Sequence, residues 1–196
     1  AEGYTTNTGR VYLFYNDGTY PTDVSGADVT LTGGATSDKF GHALANGDFN
    51  ADGEMDIAVG ANGKSSSAGG AYIYYNDGSY GSADVTITGT ASSDAFGGAL
   101  ASGDVNADSK TDLLVGATGY NPGGAATTGR AYIFHNDGSI PTTAATADVT
   151  ITGGATTNVF GTAIATGDMN GDAKVDIIIS APGYSTSTGR AYVFYN

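Results

Sequence analysis

One nine-residue pattern, D-x-N-x-D-x-x-x-D, occurs three times in this chain and each time runs straight into an apolar stretch. The copies are Asp48 to Asp56, Asp104 to Asp112 and Asp168 to Asp176. The apolar continuations read Asp56-Ile57-Ala58-Val59-Gly60-Ala61, Asp112-Leu113-Leu114-Val115-Gly116-Ala117 and Asp176-Ile177-Ile178-Ile179-Ser180-Ala181. Other segments recur in step. A Phe-Gly pair with small apolar residues stands at Phe40-Gly41, Phe96-Gly97 and Phe160-Gly161. An aromatic stretch occurs four times, at residues 9–15, 70–75, 129–135 and 189–195, and Ala-Asp-Val-Thr-x-Thr-Gly occurs at 27–33, 83–89 and 147–153. A repeat at fixed order constrains the fold more than any composition does, because each unit must stack on a copy of itself. The spacing is 56 residues from Asp48 to Asp104 and 64 from Asp104 to Asp168, and most of the excess lies in 116–129, as expected for a surface insertion.

Naming the recurring segments strands A (after Phe-Gly), B (after the Asp loop), C (aromatic) and D, the chain reads C-D, A-B-C-D, A-B-C-D, A-B-C. The expected repeats are about 1–34, 35–90, 91–154 and 155–196 within one all-β domain. Strands B and C are apolar at successive positions, so both faces of each sheet must be covered. Four-stranded antiparallel sheets stacked face to face around an axis, a β-propeller, meet that demand. The Asn-Asp-Gly triplets at 16–18, 76–78 and 136–138 read as turns after strand C. The 32 glycines among 196 residues, with 40% hydrophobic and 14% charged residues, suit such a fold and not a disordered chain.

The Asp loops carry the chemistry. The net charge of −13 rules out nucleic-acid binding through a general basic field. Nine of the twenty carboxylates are the aspartates of the three loops, three in each. Oxygens at alternate positions of a tight loop converge on one point, and Ca²⁺ takes six to eight of them. The expected ligands are Asp48, Asn50, Asp52 and Asp56; Asp104, Asn106, Asp108 and Asp112; and Asp168, Asn170, Asp172 and Asp176. Glu54, Lys110 and Lys174 would add backbone carbonyls. An EF-hand is excluded, since its twelfth position needs a glutamate and here holds Val59, Val115 or Ile179. The competing reading is that these residues only bond their own backbone as turn formers. Only the first loop has glycine at position 6; Ser109 and Ala173 fill it in the others. With no cysteine, disulfides and thiolate metal sites are excluded.

The Phe-Gly pairs, the Asp loops and the Gly60-Ala61-Asn62, Gly116-Ala117-Thr118 and Ser180-Ala181-Pro182 triplets together resemble FG-GAP repeats, as in the β-propeller of integrin α subunits. The resemblance implies calcium in the A–B loops on the lower face. It also implies ligand recognition by the upper-face D–A and B–C loops, here about 33–39, 60–70, 89–95, 116–129, 153–159 and 180–189. Tyr120 and Tyr184 in the B–C loops are the candidate ligand contacts. Integrin propellers have seven blades, and only three copies of strand A are present here.

Three blades leave bare sheet faces, so the expectation is a homodimer that completes a six-bladed ring, or a place in a longer array. The expected role is a binding or adhesion module for a protein or carbohydrate ligand, extracellular or at a cell surface and secreted, with no direct membrane insertion. The alternatives are a calcium-dependent lectin, a purely structural surface-array module, or the non-catalytic part of a secreted enzyme. Catalysis by the chain itself is not expected. His42 and His135 are absent from the equivalent positions of the other repeats, and no nucleophile elbow or P-loop is present. Arg10, Arg130 and Arg190 open strand C, where a salt bridge between blades is expected.

Overall fold

The structure, a computed structural model, describes residues 1–123 and 127–196; part of the 116–129 insertion therefore lies outside the described residues. All four sheets are antiparallel meanders. The first pairs β1 (Arg10–Leu13) with β2 (Val29–Thr32). The second runs β3 (Leu44–Gly47), β4 (Asp56–Ala61), β5 (Gly70–Tyr74) and β6 (Val85–Thr88). The third runs β7 (Phe96–Gly103), β8 (Asp112–Ala117), β9 (Arg130–Phe134) and β10 (Val149–Thr152). The fourth has β11 (Ile164–Gly167), β12 (Asp176–Ala181) and β13 (Arg190–Phe194). These are the two, four, four and three strands that the C-D, A-B-C-D, A-B-C-D, A-B-C order requires, and the sheets are β-propeller blades.

Each pair of neighbouring sheets encloses one layer of core. Val11 and Leu31 of the first sheet meet Phe40, Val59, Ala61 and Tyr74 of the second. Ala58, Ala71, Ile73 and Ile87 of the second meet Leu113, Val115 and Ala117 of the third. Leu114, Ala131 and Ile133 of the third meet Phe160, Ile177, Ile179 and Ala181 of the fourth. Burial on both faces explains why strands B and C do not alternate. The phenylalanine of each Phe-Gly pair lies edge-on against strand C of its own sheet. Phe40 sits 5.5 Å from Tyr72, Phe96 5.3 Å from Tyr132 and Phe160 5.6 Å from Tyr192, ring centre to ring centre. Such T-shaped pairs add about 0.5–1.5 kcal/mol beyond the area they bury.

Backbone contact sets the sheet spacing. Gly9, Gly69 and Gly129 have φ of 89°, 88° and 78°, and a Cβ on each would stand 2.0, 2.0 and 2.2 Å from the carbonyl oxygen of Phe40, Phe96 and Phe160 in the next sheet. Gly60 and Gly116 in strand B face the carbonyls of Gly97 and Gly161 just as closely, at 2.1 and 2.2 Å. Ser180 holds that position in β12, and its hydroxyl oxygen accepts the Ala163 N–H.

Candidate functional site

The A–B loops and the C–D connections share one end of the sheets, and the B–C and D–A loops share the other. At the lower end the three Asp loops have one geometry. The first aspartate accepts the backbone N–H groups of positions 5 and 6: Asp48 from Asp52 and Gly53, Asp104 from Asp108 and Ser109, Asp168 from Asp172 and Ala173. The amide oxygen of Asn50, Asn106 or Asn170 accepts the same position-5 N–H. Asp52, Asp108 and Asp172 accept the N–H of Glu54, Lys110 and Lys174. The turn-forming role is thus played by the same residues whose spacing led to the expectation of a cation site. Turning this sharply puts position 4 (Ala51, Ala107, Gly171) and position 6 (Gly53, Ser109, Ala173) at positive φ. Glycine adopts that conformation freely; alanine and serine pay about 1–2 kcal/mol for it.

The last aspartate of each loop is different. Asp56, Asp112 and Asp176 have no exposed surface. One oxygen of each accepts the N–H of loop position 2 (Phe49, Val105, Met169), at 2.7, 2.9 and 2.9 Å. The other accepts the N–H that follows strand C (Asn76, Asn136, Asn196), at 2.8, 2.8 and 3.0 Å. Burial pushes the Asp56 and Asp112 carboxyls above the usual range, against the pull of those two N–H groups. The exposed Asp108 and Asp168 are held below it, chiefly by the N–H of Lys110 and of Gly171.

Two asparagines after strand C, Asn136 of an expected turn and Asn196 with no role read from sequence, tie neighbouring loops. The side-chain NH₂ of Asn136 donates to the Phe49 carbonyl of the preceding loop, and that of Asn196 donates to the Val105 carbonyl. Each thereby ties a loop's buried aspartate to the loop one sheet earlier. A signal existed in the recurrence of asparagine at 16, 76, 136 and 196, but recurrence alone does not separate a tie from a turn.

Among the described residues no group of three or more His, Cys, Asp or Glu side chains is gathered closely enough to hold a metal ion. The chemistry of the donor set nevertheless fits a hard cation. It is oxygen only, three carboxylates and an amide per loop, and a carboxylate oxygen that accepts one N–H keeps a further lone pair.

At the upper end, the loops of successive sheets are laced together. Ser37 and Lys39 donate to the carbonyls of Thr6 and Asn7, and Ser93 and Ala95 to those of Ser66 and Ser67. The acceptors lie in turns of three consecutive positive-φ residues, Thr5–Asn7 and Ser65–Ser67; Ser185–Ser187 repeats the conformation. The candidate contacts Tyr120 and Tyr184 do not stand free. The Arg130 guanidinium lies 3.6 Å from the Tyr120 ring centre and 5.7 Å from that of Tyr132; Arg190 lies 3.7 Å from Tyr184 and 5.8 Å from Tyr192. Arg10 is held the same way by Tyr4 and Tyr12. This corrects the expected inter-blade salt bridges. The arginines are clamped between aromatic rings, and the only ion pair among the described residues joins His42 to Glu2 at 2.6 Å. The second sheet keeps a cation on its strand-C ring by exchange, with one ring in place of two. Gly70 stands where the others have arginine, Lys64 stands where they have tyrosine, and the Lys64 ammonium lies 4.5 Å from the Tyr72 ring centre. That compensation is visible in the sequence once the loops are aligned.

The two histidines sit apart, His42 before β3 at the upper end and His135 after β9 at the lower. They form no catalytic pair.

A family profile described as FG-GAP repeat matches residues 40–74, 96–134 and 160–194. The chain is 38% identical over 144 residues to the human phosphatidylinositol-glycan-specific phospholipase D, covering 67% of this chain and 17% of that protein. It is 33% identical over 160 residues to integrin alpha-PS2 of Drosophila melanogaster, covering 79% of this chain and 11% of that protein. It is 30% identical over 205 residues to the rat phosphatidylinositol-glycan-specific phospholipase D, covering 95% of this chain and 24% of that protein. The chain thus spans no more than about a quarter of the length of these relatives.

Proposed function

The chain belongs to the FG-GAP repeat family, and from that premise we propose that it is a calcium-stabilised, integrin-like propeller module that binds a protein or carbohydrate ligand outside the cell and catalyses nothing itself. The observation that carries the calcium reading is the threefold recurrence of one oxygen-only donor set on one backbone turn. Asp48, Asn50, Asp52 and Asp56 would hold the first ion, with the Glu54 carbonyl. Asp104, Asn106, Asp108 and Asp112 would hold the second with Lys110, and Asp168, Asn170, Asp172 and Asp176 the third with Lys174. A bound cation would offset the repulsion among three carboxylates in one short loop, which turn formation by itself leaves standing. The Asn136 and Asn196 ties would pass the stiffening from loop to loop.

The laced upper loops supply the ligand face, and the longest insertion of the chain, within 116–129, falls there. Loops held by a rigid scaffold are where recognition concentrates. Tyr120 and Tyr184 support that face by fixing the arginines. A second reading follows from the phospholipase relatives: the module as the non-catalytic propeller of a larger secreted enzyme.

The experiment is a thermal melt of the chain in excess calcium and in EGTA, with calcium binding followed by calorimetry. Ligand at a hundred times its Kd adds about 2.7 kcal/mol per site. For a domain of this size that corresponds to a Tm fall of about 5 °C or more on chelation. Asp104→Ala should remove one site from the titration. An EGTA melt that overlays the calcium melt would overturn the calcium reading.

A further inference from the structure

The charges of this chain are sorted by end. Five of its seven lysines and arginines, Arg10, Lys39, Lys64, Arg130 and Arg190, lie in or beside the upper loops, against three of its twenty acids, Glu2, Asp38 and Asp94. Asp38 and Asp94 are 8% and 5% exposed, and Glu2 is taken up by His42. All the other acids, with Lys110 and Lys174, belong to the Asp loops and the C–D connections of the lower end. A chain of net charge −13 thus carries a net positive upper end, and such a separation draws anions to one end and cations to the other.

Four of the five upper cations form a series, one to each sheet. Arg130 opens β9 in the third sheet, which has a neighbour on each face. Its guanidinium is stacked on Tyr120 at 3.6 Å, and its Nε donates to the Thr152 hydroxyl at 2.8 Å. The two Nη groups are the edge that remains, and among the described residues no carboxylate lies within ion-pair distance of them. Arg10 repeats the arrangement on Tyr4, at 3.7 Å, with its Nε on the Thr32 hydroxyl at 3.0 Å. Arg190 lies on Tyr184, and Lys64 supplies the cation of the second sheet on Tyr72. Arg10, Lys64 and Arg130 are each partly exposed.

A ring and a hydroxyl hold these arginines without neutralising them. They fix the plane of the guanidinium and leave its Nη edge charged, and a planar fork of that kind matches the paired oxygens of an anionic group. The surroundings narrow the ligand further. The upper loops, about 33–39, 60–70, 89–95, 116–129, 153–159 and 180–189, hold no Leu, Ile, Met, Phe or Trp, and are rich in Ser, Thr and Gly. Protein partners are gripped by large apolar and aromatic anchors at the centre of an interface, and the tyrosines here are already engaged by the arginines. A hydroxyl-rich surface around fixed cations suits a polar, polyhydroxylated anion instead.

We propose that the upper end binds an acidic carbohydrate, with the Nη edge of Arg130 on an anionic group of the sugar and Arg10, Lys64 and Arg190 on further anionic groups of the same polymer. This rests on the reading of the upper loops as the ligand face and names the chemistry of the ligand. A polymer with an anion in each repeating unit engages successive sheets at once, so weak single contacts combine through effective concentration. The ring and Thr152 orient the fork beforehand, which lowers the ordering cost of each contact. The contact is made by arginine and not through a bound ion, since the Asp loops lie at the opposite end.

Calorimetric titration of the whole chain, in calcium, with hyaluronan, dextran sulfate, neutral dextran and poly-glutamate tests this. Hyaluronan should bind if the fork takes a carboxylate and dextran sulfate if it takes a sulfate, and added NaCl should weaken either. Arg130→Gln should weaken binding about tenfold or more. Arg130→Lys keeps the charge without the fork and should recover only part of that loss. Arg10→Gln with Lys64→Gln gives an independent reading of the same loss, and melting curves verify the fold of each variant. Ser79→Glu shifts the net charge by the same amount on an exposed residue of the lower end, and should bind as the wild type does. Binding that survives both the Arg130 and the double variant, or that falls as far with Ser79→Glu, would overturn the proposal. Binding to neutral dextran or poly-glutamate alone would also overturn it while leaving a ligand-binding module in place. Binding to none of the four would reject it together with the upper face as a carbohydrate site, and the calcium melt would still judge the lower loops.

Discussion

Ile133 and Val193 hold the same place in strand C, one sheet apart, and only one of them is covered. Ile133 in β9 is 4% exposed because the fourth sheet lies on it; Val193 in β13 is 44% exposed because no sheet follows among the described residues. Leu100 and Leu44 show the same contrast in strand A at the other end, 8% against 54%. The residue types hardly differ; what differs is the presence of a neighbour. In a stacked array, stability resides in the contacts between units as much as in the units.

That contrast can be broken or sharpened. The largest effect is expected from Ile133→Ala, about 3 kcal/mol in urea unfolding, against less than about 1 kcal/mol for Val193→Ala. Equal costs would mean that the open face of the fourth sheet is covered in solution. Next, Asp112→Asn removes one of two charge-assisted acceptors and turns an NH₂ against a buried N–H, for about 2–3 kcal/mol. Asp176→Asn should cost less, since its second partner, Asn196, is exposed at the open end.

A smaller effect separates the second sheet from the rest. Gly70→Arg should lose about 1–2 kcal/mol, because a Cβ there stands 2.7 Å from the Lys64 side chain and two cations would then compete for Tyr72. Adding Lys64→Tyr should return the protein to within about 0.5 kcal/mol of wild type, a coupling that independent sites do not show. The smallest effect compares loops. Ala107→Gly should stabilise the second Asp loop by about 0.5–1 kcal/mol, while Gly171→Ala should destabilise the third by a similar amount, because that position needs positive φ in both.

The repeat order, strand identities and two-sided burial were legible in the sequence because they recur, and recurrence averages out local accident. Position 6 of the Asp loops could also be read as strained, and Ser109 and Ala173 do sit at positive φ. The arginines were misread. A cation at the start of a strand in an acidic chain suggests a carboxylate partner, and nothing in one repeat announces that tyrosines will sandwich it. Only the Gly70 and Lys64 exchange discloses the stack, and it requires comparing loops before assigning roles. The second bond of Asp56, Asp112 and Asp176 was hidden for another reason: it joins groups 20 to 24 residues apart whose meeting depends on sheet register.

The glycines at 9, 69 and 129 carry one more lesson. Where a carbonyl oxygen rests directly on an α-carbon, no side chain measures the gap. The pitch of the array is then indifferent to almost everything the rest of the chain spells out. Loops at the upper end can lengthen, shorten or be rewritten, as the insertion within 116–129 has been, while the posts that carry them keep their places. A scaffold ruled by its own backbone leaves the loops at its upper end free to change.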